Sequence, residues 1–226
     1  MDSAKRLAAS AAFDLVENGM CLALGTGSTV EAGLERLVER VRSGLGIVCL
    51  SSSERTTRVA RAMGLEIAAL EEVAAIDLLI DGADQIADDL SMIKGRGGAH
   101  AREKKLAVIA RKRIYAAEAT KRVPSLGNIW LPLEVLPFGS KFTLASVAAI
   151  TGGEVRFRLV DDGRTAMSDN GNCLADAWIG TIPQPHRLDR DLKMISGIVE
   201  TGLFVGLADL VITSDGLSIR QERKNA

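Results

Sequence analysis

Apolar residues near the start of the chain, Leu7, Ala11 and Leu15, recur at helical spacing. With Asp14 and Glu17 on the other side, they predict an amphipathic helix over 3–17 that stops at Asn18-Gly19, a helix-ending pair. MCLALG (20–25) is an apolar run of strand length. A glycine turn then leads into a helix with Val30, Leu34, Leu37, Val38 and Val41 on one face. GIVCL (46–50) predicts a strand, and SSSERTTRVARAMG (51–64) reads as cap, helix and terminal glycine. EIAAL (66–70), IDLLI (76–80) and RIYAAE (113–118) predict three more strands. Near-continuous apolar strands separated by helices argue for a mostly parallel sheet covered on both faces.

The texture changes near Leu131. LPLEVLPF (131–138) holds two of the five prolines, which disfavours a central strand there. A helix over 140–150 follows and ends at Gly152-Gly153. EVRFRLV (154–160) alternates as a half-buried strand, SDNGN (168–172) is a turn and CLADAWI (173–179) a strand. HRLDRDLKMIS (186–196) predicts a helix, with His186 itself placed in a loop, and GIVETGLFV (197–205) a strand interrupted by glycine. This β-α-β-β-α-β order is that of a split-βαβ, ferredoxin-like unit. ADLVIT and GLSIR form a hairpin returning to the first domain. The expected fold class is α/β: a Rossmann-like, mostly parallel sheet domain (1–130 with 207–226) and a smaller ferredoxin-like α+β domain (131–206).

Composition narrows the partners. A net charge of −1 and 4% aromatic residues argue against nucleic acid, an anionic membrane surface or a base-stacking platform. No apolar stretch reaches the ~18 residues of a membrane span. The cysteines, Cys21, Cys49 and Cys173, are odd in number and lack metal spacing, which fits reduced thiols and a cytoplasmic location.

Three loops leave the carboxyl ends of predicted strands, where open parallel sheets bind ligands. The first holds Gly25, Thr26, Gly27, Ser28 and Thr29. A glycine turn at a helix N-terminus exposes N–H groups to an anion, though Val30 breaks a dinucleotide fingerprint and no P-loop lysine follows. The alternative is a helix capped by Ser28 or Thr29. The second loop holds Asp81, Gly82, Ala83 and Asp84, two carboxylates three apart suited to metal binding, acid–base work or turn capping. Asp88 and Asp89 read as a solvated turn. The third is EATK, with Lys121. Between them, Lys94, Gly95, Arg96, Gly97 and Gly98 form a nest for an oxyanion beside a lysine, and Glu103 follows about a turn into a helix. An oxyanion nest, a lysine and a carboxylate base suit proton abstraction next to a carbonyl.

GTGST, DGADQI, MIKGRGGAHAREK, LPLEVLPF, SDNGN and GIVETGLFVGLADLV occur in the order and spacing of the type A ribose-5-phosphate isomerases, and the chain resembles that family over nearly its whole length. The resemblance implies interconversion of ribose 5-phosphate and ribulose 5-phosphate through an enediolate, in the pentose phosphate pathway, with no cofactor and no metal. It implies Glu103 as the base, and Asp81 and Asp84 on substrate hydroxyls, Asp81 also assisting ring opening. Lys94 and the amides of Gly95, Arg96, Gly97 and Gly98 would hold the oxyanion. Thr26, Gly27, Ser28, Thr29, Gly82 and Ala83 would line the substrate pocket, and Lys121 would bind substrate near phosphate. It also implies a homodimer or homotetramer. Two departures stand out. Arg96 replaces a glycine, which would cost on the order of 1 kcal/mol if that position needs a positive φ. The side chain then either turns to solvent or enters the pocket to alter phosphate binding or substrate choice. His100 reads as a helix-face histidine near the site, without a catalytic role. Two other classes stay open: a non-catalytic sugar-phosphate sensor, and an acyl-CoA transferase-like enzyme with a glutamate nucleophile.

Overall fold

The computed structural model describes residues 2–223. In chain order its elements are α1 (Asp2–Phe13), β1 (Cys21–Leu24), α2 (Ser28–Arg42), β2 (Val48–Ser51), α3 (Glu54–Ala62), β3 (Ile76–Asp81), β4 (Gln85–Ile86), β5 (Met92–Ile93), α4 (His100–Ile109), β6 (Ala110–Glu118), β7 (Ile129–Val135), α5 (Ser140–Thr151), β8 (Val155–Phe157), β9 (Cys173–Ile179), α6 (Pro185–Lys193), β10 (Ile198–Thr201), β11 (Leu203–Phe204), β12 (Leu210–Ser214) and β13 (Ile219–Arg223). The chain divides into two units, one of Met1–Ala83, Arg102–Arg122 and Leu207–Ala226, the other of Asp84–Ala101 and Val123–Gly206. Relative to the expected domains, residues 84–101 and 123–130 cluster with the second unit.

The first unit is built on a sheet of order β13-β12-β6-β3-β1-β2. All its pairings are parallel except the terminal β12–β13 hairpin. Leu22, Leu24, Leu78, Ile80, Ile114 and Ile212 from the strands pack with Phe13 of α1 and with Leu34 and Leu37 of α2 in one apolar core. That core is why IDLLI and its neighbours read as near-continuous apolar runs.

Two expectations fail in this unit. The first helix ends at Phe13, not near Glu17. Arg40 Nη1 donates to the Phe13 carbonyl (2.5 Å) and Arg36 Nε to Asp14 (2.7 Å). The next residues close in tighter turns, Leu15 N–H to Ala12 O and Val16 N–H to Phe13 O. EIAAL forms no strand: Ile67 makes one isolated parallel bridge to Cys49, then Leu70–Glu72 turns as a 3₁₀ helix. Glu72 reaches back to accept the Ala69 N–H (2.8 Å), and alanine and glutamate have little β preference to resist it.

The second unit runs β7-α5-β8-β9-α6-β10, with an antiparallel sheet of order β10-β7-β9-β8. This is the ferredoxin-like arrangement expected. Leu131, Leu133 and Val135 of β7 alternate into a core with Ala175, Ala177 and Ile179 of β9. Pro132 nevertheless sits inside an interior strand, against the expectation for LPLEVLPF. Its carbonyl accepts Gly202 N–H (2.7 Å), one residue beyond the last β7–β10 pair, Leu133 with Thr201. The proline nitrogen faces the same residue, but the Gly202 carbonyl that an N–H there would have reached accepts the Lys94 N–H (2.9 Å) instead, so no acceptor is left unpaired. The strand expected over 154–160 shrinks to β8, and α6 begins at Pro185, taking His186 out of its expected loop. A small sheet, β11-β5-β4, went unforeseen because each strand is two residues long.

Candidate active site

In the first unit, β1, β3 and β6 are adjacent and parallel, so the loops carrying Thr26, Asp81 and Lys121 leave the same edge of the sheet. Asp81 closes β3 and is fully buried. Its Oδ1 accepts N–H groups of Thr26 (3.2 Å) and Gly82 (2.7 Å). Gly25 makes room for it: a Cβ there would lie 2.0 Å from the Asp81 Cγ and Oδ1.

The GTGST turn holds itself differently from either sequence alternative. Gly27, with φ at 130°, is the N-cap of α2, and no side chain caps the helix. The Thr26 hydroxyl donates to Ser53 Oγ (2.7 Å), and Ser53 Oγ to Thr56 Oγ1 (3.2 Å). Thr56 Oγ1 in turn donates to the Gly25 carbonyl (3.1 Å), while Ser52 Oγ lies 2.8 Å from Thr26 Oγ1. This hydroxyl chain ties the turn to α3. The sequence pattern predicts Ser52 and Ser53 only as a helix cap and Thr56 only as a helix residue; the signal for the hydroxyl chain is the run of three serines behind an apolar strand.

Glu103 lies in the first turn of α4 and is 3% exposed. Tyr115, opposite Asp81 in the β3–β6 register, is fully buried. Burial, and after it the negative charges of Asp81 and Glu103, push its phenol well above the ordinary tyrosine range. Asp81 and Glu103 thus act on one buried group that the sequence reading passed over. Lys121 ends a 3₁₀ turn after β6 and is half-buried.

In the second unit, Lys94 is 2% exposed and follows β5. Its N–H donates to Gly202 O (2.9 Å), and its Nζ lies 5.3 Å from the Phe204 ring centroid, within cation–π reach. The next loop is closed by Gly98 N–H to Gly95 O (2.9 Å). Gly95 and Gly98 take positive φ, 105° and 78°. At Gly95 a Cβ would also meet His100 at 2.8 Å. Arg96 is not in the left-handed region, so the strain anticipated for it does not arise. It is exposed, and its N–H donates to Asp84 Oδ2 (3.1 Å). Among the described residues, the N–H groups of Gly95 and Gly97 have no acceptor. His100 is fully buried at the start of α4, packed on Gly95. Asp88 and Asp89 are exposed at the β4–β5 turn, where Asp89 accepts the Ser91 N–H and hydroxyl.

Among the described residues no group of three or more His, Cys, Asp or Glu side chains could hold a metal ion. A mostly parallel sheet whose polar loops leave one edge is the architecture of small-molecule α/β enzymes. Residues 48–216 match the family model of ribose 5-phosphate isomerase A (phosphoriboisomerase A). The chain is 41% identical to a ribose-5-phosphate isomerase A of Nitrobacter hamburgensis, across 97% of each chain. With that of Gloeobacter violaceus it shares 43% identity, across 95% of this chain and 94% of the relative. The solved ribose 5-phosphate isomerase of Plasmodium falciparum superposes with a TM-score of 0.94 at 33% identity, covering 100% of both chains. A D-ribose-5-phosphate isomerase solved in complex with phospho-erythronic acid gives 0.92 at 31%, covering 97% of each. The chain belongs to the ribose 5-phosphate isomerase A family.

Proposed function

We propose that Glu103 is the proton-transferring base in the reaction of this family, the interconversion of ribose 5-phosphate and ribulose 5-phosphate in the pentose phosphate pathway. The chain is an aldose–ketose isomerase. The observation that carries the assignment is a carboxylate 3% exposed in the first turn of α4, whose charge bears on the same buried Tyr115 as Asp81 does.

Asp81 assists opening of the sugar ring. Glu103 then removes the C2 proton of the open-chain aldehyde, and the C–H electron pair moves through C1 to O1. Lys94 and the N–H groups of Gly95 and Gly97 hold the enediolate. Glu103 returns its proton to C1, a second proton passes from O2 to O1, and C2 becomes the ketone. With Oδ2 of Asp84 engaged by Arg96, Oδ1 serves the sugar hydroxyls. Thr26, Gly27, Ser28, Thr29, Gly82 and Ala83 line the substrate, and Lys121 binds near its phosphate.

Replacing Glu103 by glutamine keeps shape and removes the base. Turnover is expected to fall by about 10²–10⁴-fold with KM little changed, and exchange of the C2 proton with solvent to fall with it. Near-normal exchange in Glu103→Gln would move the base elsewhere. The reading needs no metal or cofactor, so turnover is expected to be unchanged by EDTA. It places the protein in the cytoplasm as a homodimer or homotetramer, which sedimentation resolves; no helix among the described residues is long and apolar enough to cross a membrane.

A further inference from the structure

Arg158, just past β8, was no part of the expected site. Its guanidinium spans two partners within the second unit. Nε and Nη2 donate to Oδ2 and Oδ1 of Asp176 on β9, at 3.0 and 2.6 Å. Nη1 donates to the carbonyls of Arg96 (2.9 Å) and Gly95 (3.4 Å). The two side chains are 22% and 12% exposed, and the backbone of Arg158 is itself fixed by N–H to Leu174 O and by Ala166 N–H to its carbonyl. Leu174 lies under the same loop: a Cβ at Gly98 would meet its Cδ1 at 2.6 Å.

A trans peptide is planar, so its C=O and N–H point in opposite directions. Arg158 draws the Arg96 carbonyl toward β9. The N–H in that same peptide plane belongs to Gly97, and it is one of the two loop amides without an acceptor among the described residues. We infer that Arg158, held by Asp176, is a positioning residue that aims the Gly97 N–H at the developing oxyanion. The inference rests on the proposed role of the 94–98 loop. A rigid bidentate carboxylate pair suits the task, because it fixes the guanidinium plane while leaving Nη1 for the loop. A lysine at 158 could not hold both partners in one plane.

The test compares Arg158→Lys, Asp176→Asn and Lys94→Met with the wild-type enzyme. It measures kcat, KM and the inhibition constant of phospho-erythronate, whose carboxylate stands in for the enediolate oxygens, and it takes thermal melts by circular dichroism. Loss of a whole oxyanion donor costs about 10²–10³-fold in kcat, so a misaimed one is expected to cost about 10–100-fold in Arg158→Lys. KM and the melting midpoint should hold, and the inhibition constant should rise by the same factor as kcat falls. A purely structural role would not produce that matched change at constant KM. Asp176→Asn should show the same split at smaller size, and it carries the test if Arg158→Lys does not fold. Arg158→Ala should regain turnover with added guanidinium. Normal kcat in both Arg158→Lys and Asp176→Asn, with Lys94→Met crippled, would leave the loop's role standing and overturn the clamp. Lys94→Met at wild-type turnover would overturn the loop's role and the clamp with it. A fall in kcat with phospho-erythronate binding unchanged would likewise overturn the aiming role.

Discussion

Gly25→Ala tests how Asp81 is held. The added methyl carbon would sit 2.0 Å from both Cγ and Oδ1 of Asp81 and 2.5 Å from its Cβ. Asp81 is fully buried and its side chain is short, so the carboxylate can yield only by leaving the N–H groups of Thr26 and Gly82. Overpacking costs about 1–3 kcal/mol. Losing one charge-assisted hydrogen bond adds about 1.5–3 kcal/mol. Removing a glycine from the unfolded chain offsets about 0.4–1 kcal/mol. The net loss is about 3 kcal/mol. With a urea m-value near 3 kcal/mol/M, the unfolding midpoint falls by about 1 M. Turnover should fall as well, since the displaced carboxylate is the one assigned to ring opening. Gly82→Ala is the control for stability. A Cβ there meets nothing nearer than Thr29 Cβ at 3.6 Å, so its stability should stay within about 0.5 kcal/mol of wild type. If Gly25→Ala matched Gly82→Ala in urea, the claim that Gly25 exists to seat Asp81 would be refuted.

Arg96→Gly should give no gain in kcat and should lower stability by about 0.5–1 kcal/mol, because φ there suits an ordinary residue and glycine only adds unfolded-state freedom. A large gain in turnover would mean that arginine strains the loop in solution. Burial, then the neighbouring Cys21, push the Cys49 thiol up from 9.0 to about 12. The folded state therefore keeps a proton that the unfolded state loses, so the contribution is intact below pH 9 and declines between 9 and about 12 by about 1.4 kcal/mol per pH unit. Urea midpoints measured from pH 8 upward should fall more steeply for wild type than for Cys49→Ala, and equal slopes would contradict the burial argument.

Much of this could be read in the chain because apolar periodicity decides elements long enough to show it. IDLLI and RIYAAE are near-continuous apolar runs and became β3 and β6. The six-element order of the second unit was visible for the same reason. What stayed hidden depended on pairings without a period. EIAAL is a short, mostly apolar stretch with little β preference, and its fate was set by one Glu72 carboxylate reaching back. Pro132 looked like a strand breaker, and only the Lys94 N–H, taking the Gly202 carbonyl that proline cannot serve, makes it harmless. Arg158 and Asp176 did leave a trace, an arginine at alternate positions in VRFR and an aspartate in the middle of CLADAWI. A charge inside an apolar strand asks for a partner, yet nothing in the sequence says that the partner would be an arginine just past β8 and, beyond it, a loop carbonyl.

The same logic explains why the charged stretch from Asp81 to Glu103 is so dense. It is not one structural element. The chain leaves the first unit after Ala83 and re-enters it at Arg102. Asp81 is fixed by the end of β3 and two backbone amides, and Glu103 by the first turn of α4. The loop between them is fixed separately, by Gly202 pairing with Lys94, by Asp84 on the Arg96 N–H, and by Arg158 on the Arg96 carbonyl. Neighbours in sequence therefore answer to different supports. A change that loosens one support should then leave the others in register: Arg158 variants should alter oxyanion stabilisation without moving Asp81, and Gly25 variants should displace Asp81 without disturbing the 95–98 turn. Arg96, the residue that looks most out of place in a glycine loop, is tolerated because the left-handed positions fall on the glycines either side of it, Gly95 and Gly98, and because its function in the loop is carried by its backbone N–H and C=O.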